Sequence, residues 1–394
     1  MALETTKINL KSEAFETPSK LWHSLMGSPY PVAIWRLPNE SFVYGISDLR
    51  PQIQKYQKLE DAGKGFYVNP FLKHHPSLPQ LIKSDLMVKW HKNKCIQTFL
   101  DARLNDQDIN SFQKNLGVTK QVLHQEILTP NNGFCNDVVE AVQSIKKGIF
   151  EKVVLSRFND QILPDCFDPI IAFEAACDAY PNAFVYLIST PSFGCWLGAT
   201  PETLLEIKNN LFKTVSLAST QKLKTNQTMN EVAWTQKEIE EQAMVSRYII
   251  DCFKKLRLRE YRENGPKTVQ AGRMAHLKTI YEVDMEEVNI PELASTMLEL
   301  LNPTSAVCGM PLQPALDFIK EYEKYDRELY AGFLGPINMD GYTHLFVNLR
   351  CMKIMGQTGR FYAGAGITEN SHPEKEFEET QLKMQTLKKI IFRP

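Results

Sequence analysis

Two pairs of glutamates, one lysine, one histidine and one glycine pair are the residues of this chain whose type and spacing could carry chemistry. Glu238 and Glu241 stand three apart in one helix-patterned segment, and Glu376 and Glu379 stand three apart in another. Residues three apart share a helix face. Two such helices facing each other could offer oxygen ligands to Mg²⁺, which favours carboxylates and keeps several of its waters. The alternative is a pair of solvated helix surfaces, with Glu379 and Lys383 an ordinary i,i+4 ion pair. Lys152 heads the apolar run Lys152-Val153-Val154-Leu155-Ser156. A lysine desolvated there could act as a base; an edge-strand lysine with its head in water would not. Gly364-Ala365-Gly366 follows a strand-like run as a dinucleotide loop does, but Glu369 stands where the third glycine belongs, and there is no G-x-x-x-x-G-K-[ST]. What remains is a glycine pair whose amides approach some other anion, or a tight strand-to-loop turn. His276 is equally open: none of the eight histidines falls in an H-E-x-x-H or similar ligand spacing.

The elements that must position these groups are legible in part. Asn136–Lys147 carries apolar residues on one helical face and ends at Gly148. Asp168-Pro169 opens a helix running to Ala179, with Asp168 as its cap. Ala183–Ile188 and Gly194–Leu197 read as strands, and Asn209-Asn210 between Thr203–Ile207 and Lys213–Leu217 signals a hairpin. Thr235–Leu256 is a long amphipathic helix. The last third alternates strands and turns: Tyr330–Gly335, a turn at Asp340-Gly341, one long strand Thr343–Met355, a turn at Gly356–Gly359, and Arg360–Gly364. In the long strand His344, Phe346, Asn348 and Arg350 are expected on one face. Ser371-His372-Pro373-Glu374 predicts a capping box at the start of the last helix. Residues 1 to about 130 offer little beyond a short strand at Phe66–Val68 and a Pro/His-rich loop at Lys73–Pro79. Strands interleaved with helices and short turns indicate α/β or α+β with mostly antiparallel pairing.

Composition removes several function classes. The 394 residues hold 45 Lys+Arg against 46 Asp+Glu, a net charge of −1 that argues against a general nucleic-acid binder. An anionic ligand would need locally placed positive charge. No apolar run approaches the ~18 residues of a membrane-spanning helix, and Met1–Glu4 lacks the basic start of a secretory leader. Eight scattered cysteines without a C-x-x-C pair read as free thiols in a reducing, cytoplasmic setting.

Seven blocks in order carry a family resemblance across about residues 130–394. They begin with Phe150-Glu151-Lys152-Val153-Val154-Leu155-Ser156-Arg157, Leu197-Gly198-Ala199-Thr200-Pro201-Glu202 and His276-Leu277-Lys278-Thr279. Asn302–Gly309, Asp326-Arg327-Glu328-Leu329-Tyr330-Ala331-Gly332, Ala363–Ile367 and Glu376–Lys383 follow. The chain resembles the chorismate-utilising enzymes, the group that includes isochorismate synthase, salicylate synthase and the large subunits of anthranilate and aminodeoxychorismate synthase. The resemblance implies an anthranilate synthase component I-like α/β (α+β) fold, with large mostly antiparallel sheets flanked by helices around a central active-site cleft. It also implies one unit over residues 1–394, whose first 130 residues match loosely.

The roles follow from the same likeness. Chorismate would be the substrate, attacked at C2 while the C4 hydroxyl leaves. Lys152 would be the base and Glu202 the acid, with His276 orienting groups near the ring. Glu241 and Glu379 would bind Mg²⁺, with Glu238 and Glu376 as neighbours. Lys383 and Thr220 would meet the ring carboxylate. Arg350 and Tyr330 would hold the enolpyruvyl carboxylate beside the amides of Gly364 and Gly366. Lys152 stands where ammonia-using members carry Gln, and Ala218 where the aminodeoxychorismate type has a nucleophilic lysine. Both indicate isochorismate formation, with salicylate synthase as the alternative, as a monomer without an amidotransferase, nucleic-acid or membrane partner. Ser219, Gln242 and Asn302 depart from the family's usual Gly, His and His.

Overall fold

The computed structural model describes residues 12–50, 58–72, 79–117, 133–223, 228–271 and 274–392. Among these residues two antiparallel sheets lie face to face. The larger has ten strands in the order Gly309–Met310, Lys152–Ile162, Thr358–Ile367, Cys351–Met355, Gly194–Thr200, Phe184–Thr190, Val32–Arg36, Phe42–Ser47, Leu86–His91 and Lys94–Leu100. The smaller has eight, in the order Arg262–Ala271, Met274–Asp284, Leu211–Lys222, Thr203–Lys208, Tyr342–Val347, Phe333–Ile337, Gly65–Asn69 and Gln80–Lys83. Successive residues of the central strands face different cores, as a two-residue period demands. Trp35, Phe184 and Tyr186 point between the sheets, while Ile34, Val185 and Leu187 point beneath helices Pro18–Leu25, Pro169–Ala179 and Pro373–Ile391. Phe184 of one sheet stacks on Phe346 of the other at 4.1 Å.

The expected fold class is what the structure shows, and several elements form as their residues predict. Asn209 and Asn210 both take positive φ, as a two-residue primed hairpin turn requires. Asp168 caps its helix by accepting from the Ile170 N–H at 3.1 Å. Gly148, at φ +74°, ends helix Phe134–Lys146. Among the described residues six strands lie before residue 130, where the sequence showed one; Val32–Arg36 is buried on both faces and Lys94–Leu100 exposed on both, so neither has an alternation to read. Apart from Pro79, the loop at 73–79 falls outside the described residues. Among the described residues no helix is long and apolar enough to cross a membrane.

Three expectations are corrected. The long strand Thr343–Met355 is two strands in different sheets, Tyr342–Val347 and Cys351–Met355, joined by Asn348–Arg350 with Arg350 at φ +51°. Its apolar residues continue through the break because both halves enter a core, so periodicity hides the crossing. The strand expected at Tyr330–Gly335 is Phe333–Ile337, leaving Tyr330 in a turn. The last helix has no capping box: its cap residue is His372, and the Ser371 hydroxyl instead accepts from the Thr368 N–H at 3.1 Å.

The lysine strand Lys152–Ile162 is held by an ion pair standing in for a neighbouring strand. Gly309–Met310 covers only its first residues. Beyond them Arg327 donates to the Val154 carbonyl at 2.7 Å, and Glu323 accepts from the Ser156 N–H at 2.6 Å. Arg327 and Glu323 bond each other and are both buried. Buried ion pairs can often be replaced by apolar residues without loss, but this one also satisfies strand backbone. Glu323→Gln is expected to destabilise by ~3 kcal/mol, and the double variant Glu323→Leu with Arg327→Met to remain about 2 kcal/mol below wild type. Urea unfolding checks both; a double variant as stable as wild type refutes the strand-surrogate role.

Candidate active site

Lys152 begins its strand, is buried, and stands with Arg350 and Lys383 close enough to Glu202 to act on its charge, around one site taken as the cleft. Its Nζ lies 3.1 Å from Glu241 Oε1. Gly366 makes room for this pair: a Cβ there would stand 3.0 Å from Lys152 Cε and 3.8 Å from Glu241 Oε1. A Cβ on Gly364 would meet the Tyr330 hydroxyl at 2.9 Å. Both glycines lie inside the paired strand Thr358–Ile367, so the strand-to-loop turn is not formed there, and the missing side chains let neighbouring groups approach the strand. Tyr330 stacks on Tyr362 at 5.4 Å, which fixes its ring.

Glu202 lies where strand Gly194–Thr200 leaves the larger sheet for Thr203–Lys208 in the smaller. Arg350 lies on the reverse crossing beside it. The two crossings are bonded to each other: Val347 N–H donates to Glu202 O at 3.0 Å, and Ala199 N–H to Arg350 O at 3.1 Å. A small cavity behind Glu202 is lined largely by Leu204, Val215, Leu217, Val245 and Val347. This burial pushes the Glu202 carboxyl up to about 7, against the opposing pull of Arg350, Lys152 and Lys383. Burial lowers the Arg350 guanidinium, which Tyr330, Glu202 and Glu379 help to keep charged. An acid and a cation therefore share one end of the cleft.

The wall opposite Lys152 is the first turn of helix Gln236–Lys255. Thr235 and Glu238 form a capping box there. The Glu238 carboxylate accepts from the Thr235 N–H at 2.7 Å and from Gln221 Nε2 at 2.8 Å. Glu238 is thus engaged in capping, whereas Glu241, one turn on, faces Lys152. Burial pushes Glu241 up, but Lys152, Lys383 and Lys237 together draw it below the usual carboxylate range. Beside it, strand Leu211–Lys222 bulges at Ser219, whose φ of +59° is a region glycine enters without penalty. Ser219 donates to the Glu238 carbonyl at 2.6 Å. Gln242 clamps the bulge, accepting from the Ala218 N–H at 3.0 Å and donating to Thr279 Oγ1 at 3.0 Å. These contacts account for two of the three departures. Asn302 is buried at the end of helix Leu293–Leu301. His276 pairs with Thr220 across the bulge, and its Nδ1 lies 3.3 Å from the Ser219 carbonyl. Burial lowers His276, Ser219 opposes this and Arg350 adds to it. The Thr220 side chain lies outside the described residues.

Helix Pro373–Ile391 brings Lys383 near Glu202 and Glu379 near Arg350. Lys383 Nζ lies 2.6 Å from Glu379 and donates to the Gly364 carbonyl at 2.8 Å. Glu376 is buried, which raises its carboxyl; Ser371 opposes and the Glu379 charge adds. Among the described residues no three His, Cys, Asp or Glu side chains close around a single point as a metal cage. Mg²⁺ does not need one, since it binds through one or two carboxylates, waters and substrate oxygens. Glu241 and Glu379 suit it: both are hard oxygen donors, and each is now neutralised by a lysine. Sequence reasoning assembled these groups but missed Gln221 and treated Ser219 and Gln242 as departures only. The Asn-free, Gln-bearing strand Thr220-Gln221 carries no local signal for a helix cap seventeen residues away.

The family model for chorismate binding enzymes matches residues 81–392. The chain belongs to this family. The isochorismate synthase EntC of Escherichia coli is 29% identical over 246 residues, covering 61% of this chain and 62% of the relative. Anthranilate synthase component 1 of Saccharolobus solfataricus is 25% identical over 282 residues, covering 70% of this chain and 66% of the relative. The matched part thus spans about three fifths of the length of the first of these. Among solved structures the menaquinone-specific isochorismate synthase of Escherichia coli has TM-score 0.75 at 21% identity, covering 94% of this chain and 91% of its own. The last comparison shows the shared fold.

The Glu202 shift has a stability consequence. Its folded value, about 7, lies above the ordinary 4.5, so its favourable contribution is complete below pH 4.5 and is lost as pH rises through 7. Glu202→Gln is expected to be more stable than wild type at pH 8 by roughly 1–3 kcal/mol, with the gap closing towards pH 4.5. Denaturant melts across that range check it; a pH-independent gap would contradict a buried acid.

Proposed function

We propose that this protein is an isochorismate synthase, an isomerase that forms isochorismate from chorismate with Mg²⁺. The observation that supports it most is a carboxyl pushed up to about 7 by burial at one end of a cleft whose other side presents a buried lysine. Hydroxide is a poor leaving group and water a poor nucleophile near neutral pH, so the reaction needs an acid and a base at once. Lys152 takes a proton from water as the water oxygen bonds to C2. The ring double bonds shift, the C4–O bond breaks, and Glu202 gives its proton to the departing hydroxyl as water. One water enters and one leaves, so the product is an isomer. Tyr330 and Arg350 hold the enolpyruvyl carboxylate, and Lys383 the ring carboxylate with Thr220. His276 orients groups near the ring.

Lys152 must be neutral to act as base, so Glu241 must then turn to another cation. Glu241 and Glu379 would hold Mg²⁺, with Glu376 and Glu238 behind them; when bound it neutralises and orients the ring carboxylate. A lysine base activating water calls for no ammonia-supplying subunit. Eight free cysteines fit a reducing cytoplasm, and we take the enzyme to be a monomer.

Incubation with chorismate and Mg²⁺, without ammonia, followed by product separation is the test. Isochorismate is expected; salicylate with pyruvate would replace isomerase by lyase, and no conversion would refute both. Lys152→Ala and Glu202→Gln are each expected to lower kcat by about 10²–10⁴ while the circular dichroism spectrum is kept. Near-wild-type turnover in either contradicts its role. Glu379→Ala is expected to lose activity together with Mn²⁺ binding, followed by the free-ion electron spin resonance signal; unchanged Mn²⁺ affinity contradicts the metal site.

A further inference from the structure

Tyr330 and Arg350 reach the cleft from two segments without regular pairing, the turn 329–332 and the crossing 348–350. Each contains a left-handed residue, Ala331 at φ +62° and Arg350 itself. No ladder fixes such backbone, so its placement depends on local bonds. One residue makes the bonds between the two segments. Asn348 is fully buried. Its N–H donates to Gly332 O at 2.8 Å, and its carbonyl accepts from the Ala331 N–H at 2.9 Å. Its Nδ2 donates to Leu329 O at 2.9 Å. These three bonds tie the tyrosine turn to the arginine crossing. The fourth fastens both to the larger sheet: Oδ1 accepts from the Tyr186 hydroxyl at 2.6 Å.

The hydroxyl also orients the amide. With Tyr186 donating to Oδ1, Nδ2 must face Leu329, the arrangement that pairs both ends of the side chain. Gly198 gives the tyrosine its path, since a Cβ there would stand 2.4 Å from Tyr186 Cε1 and 2.8 Å from its hydroxyl. Tyr186 is itself fully buried and held in strand Phe184–Thr190. A rigid strand, a cleared path and a fully satisfied amide thus converge on the backbone two residues before Arg350.

We propose that Tyr186 and Asn348 are positioning residues for substrate recognition: they set the spacing of Tyr330 and Arg350 so that the pair receives a carboxylate on the substrate's side chain. This rests on the assignment of those two residues to the enolpyruvyl carboxylate. Removing the Tyr186 hydroxyl leaves Oδ1 buried without a donor and frees the amide to turn. Recognition is then lost without touching the acid or the base.

Tyr186→Phe in the intact chain, assayed with chorismate, is expected to raise KM about 5- to 30-fold with kcat within about threefold. Binding of a dihydroxycyclohexadiene carboxylate lacking the enolpyruvyl group should be unchanged. Asn348→Asp, which keeps shape and acceptor but loses the donor to Leu329, should shift KM in the same direction. In an Arg350→Ala background Tyr186→Phe should add nothing. An unchanged KM in Tyr186→Phe and Asn348→Asp, a fall confined to kcat, or equal loss of affinity for the truncated analogue overturns the proposal. If the wild type neither binds nor converts chorismate, the assignment of Tyr330 and Arg350 fails and the proposal with it. A wild type active on chorismate with an unaffected variant sinks the positioning role alone.

Discussion

The structure depends on two adjacent chain crossings between its sheets. Gly194–Thr200 continues into Thr203–Lys208 in one direction, and Tyr342–Val347 into Cys351–Met355 in the other. The crossings hold each other through Val347 N–H to Glu202 O, Ala199 N–H to Arg350 O, and the Thr200 hydroxyl to Val347 O at 2.6 Å. Ladder strands between two packed sheets turn their side chains into cores. A crossing is free of that alternation, so it can present Glu202 and Arg350 to a cleft while its neighbours Leu345, Val347 and Met352 stay buried. The other groups assemble around this point: the lysine strand below, one helix start at the side, and the last helix across.

Charge within the cleft is already balanced internally. Lys152 pairs with Glu241, and Lys383 with Glu379. Each pair joins a cation proposed to meet substrate or water to a carboxylate proposed to meet metal. A dianionic substrate and a divalent cation bring no net charge between them, so in the proposed complex both pairs can exchange partners without the site gaining or losing charge. Glu202 stands apart from this exchange: its apolar surroundings favour the neutral acid, while the cations nearby would favour the carboxylate. That competition leaves it near the pH at which a proton is readily given.

The local departures from family pattern become intelligible in three dimensions. Ser219 occupies a left-handed bulge where glycine fits without strain, and its hydroxyl bonds the first turn of the helix that carries Glu238 and Glu241. Gln242 spans the two strands beneath that bulge. The capping box expected at Ser371 failed because the serine closes its own turn with Thr368. A capping pattern records which bonds are available, and the chain path decides which are made.

The amino-acid sequence alone determined the pieces: the ordered blocks, the antiparallel α/β class, the cap at Asp168, the hairpin at Asn209-Asn210, and the glutamate stripes. Those depend on residues a few positions apart, where backbone geometry leaves little choice. The tertiary structure alone decided that Thr343–Met355 is two strands, that Glu238 is engaged as a cap while Glu241 faces Lys152, and that Asn348 binds the turn before Gly332. Nothing in a short window signals these, because an apolar run reads the same entering either core. A buried amide, likewise, has its partners set by segments far apart in the chain, as Tyr186 and Asn348 are at a separation of 162 residues.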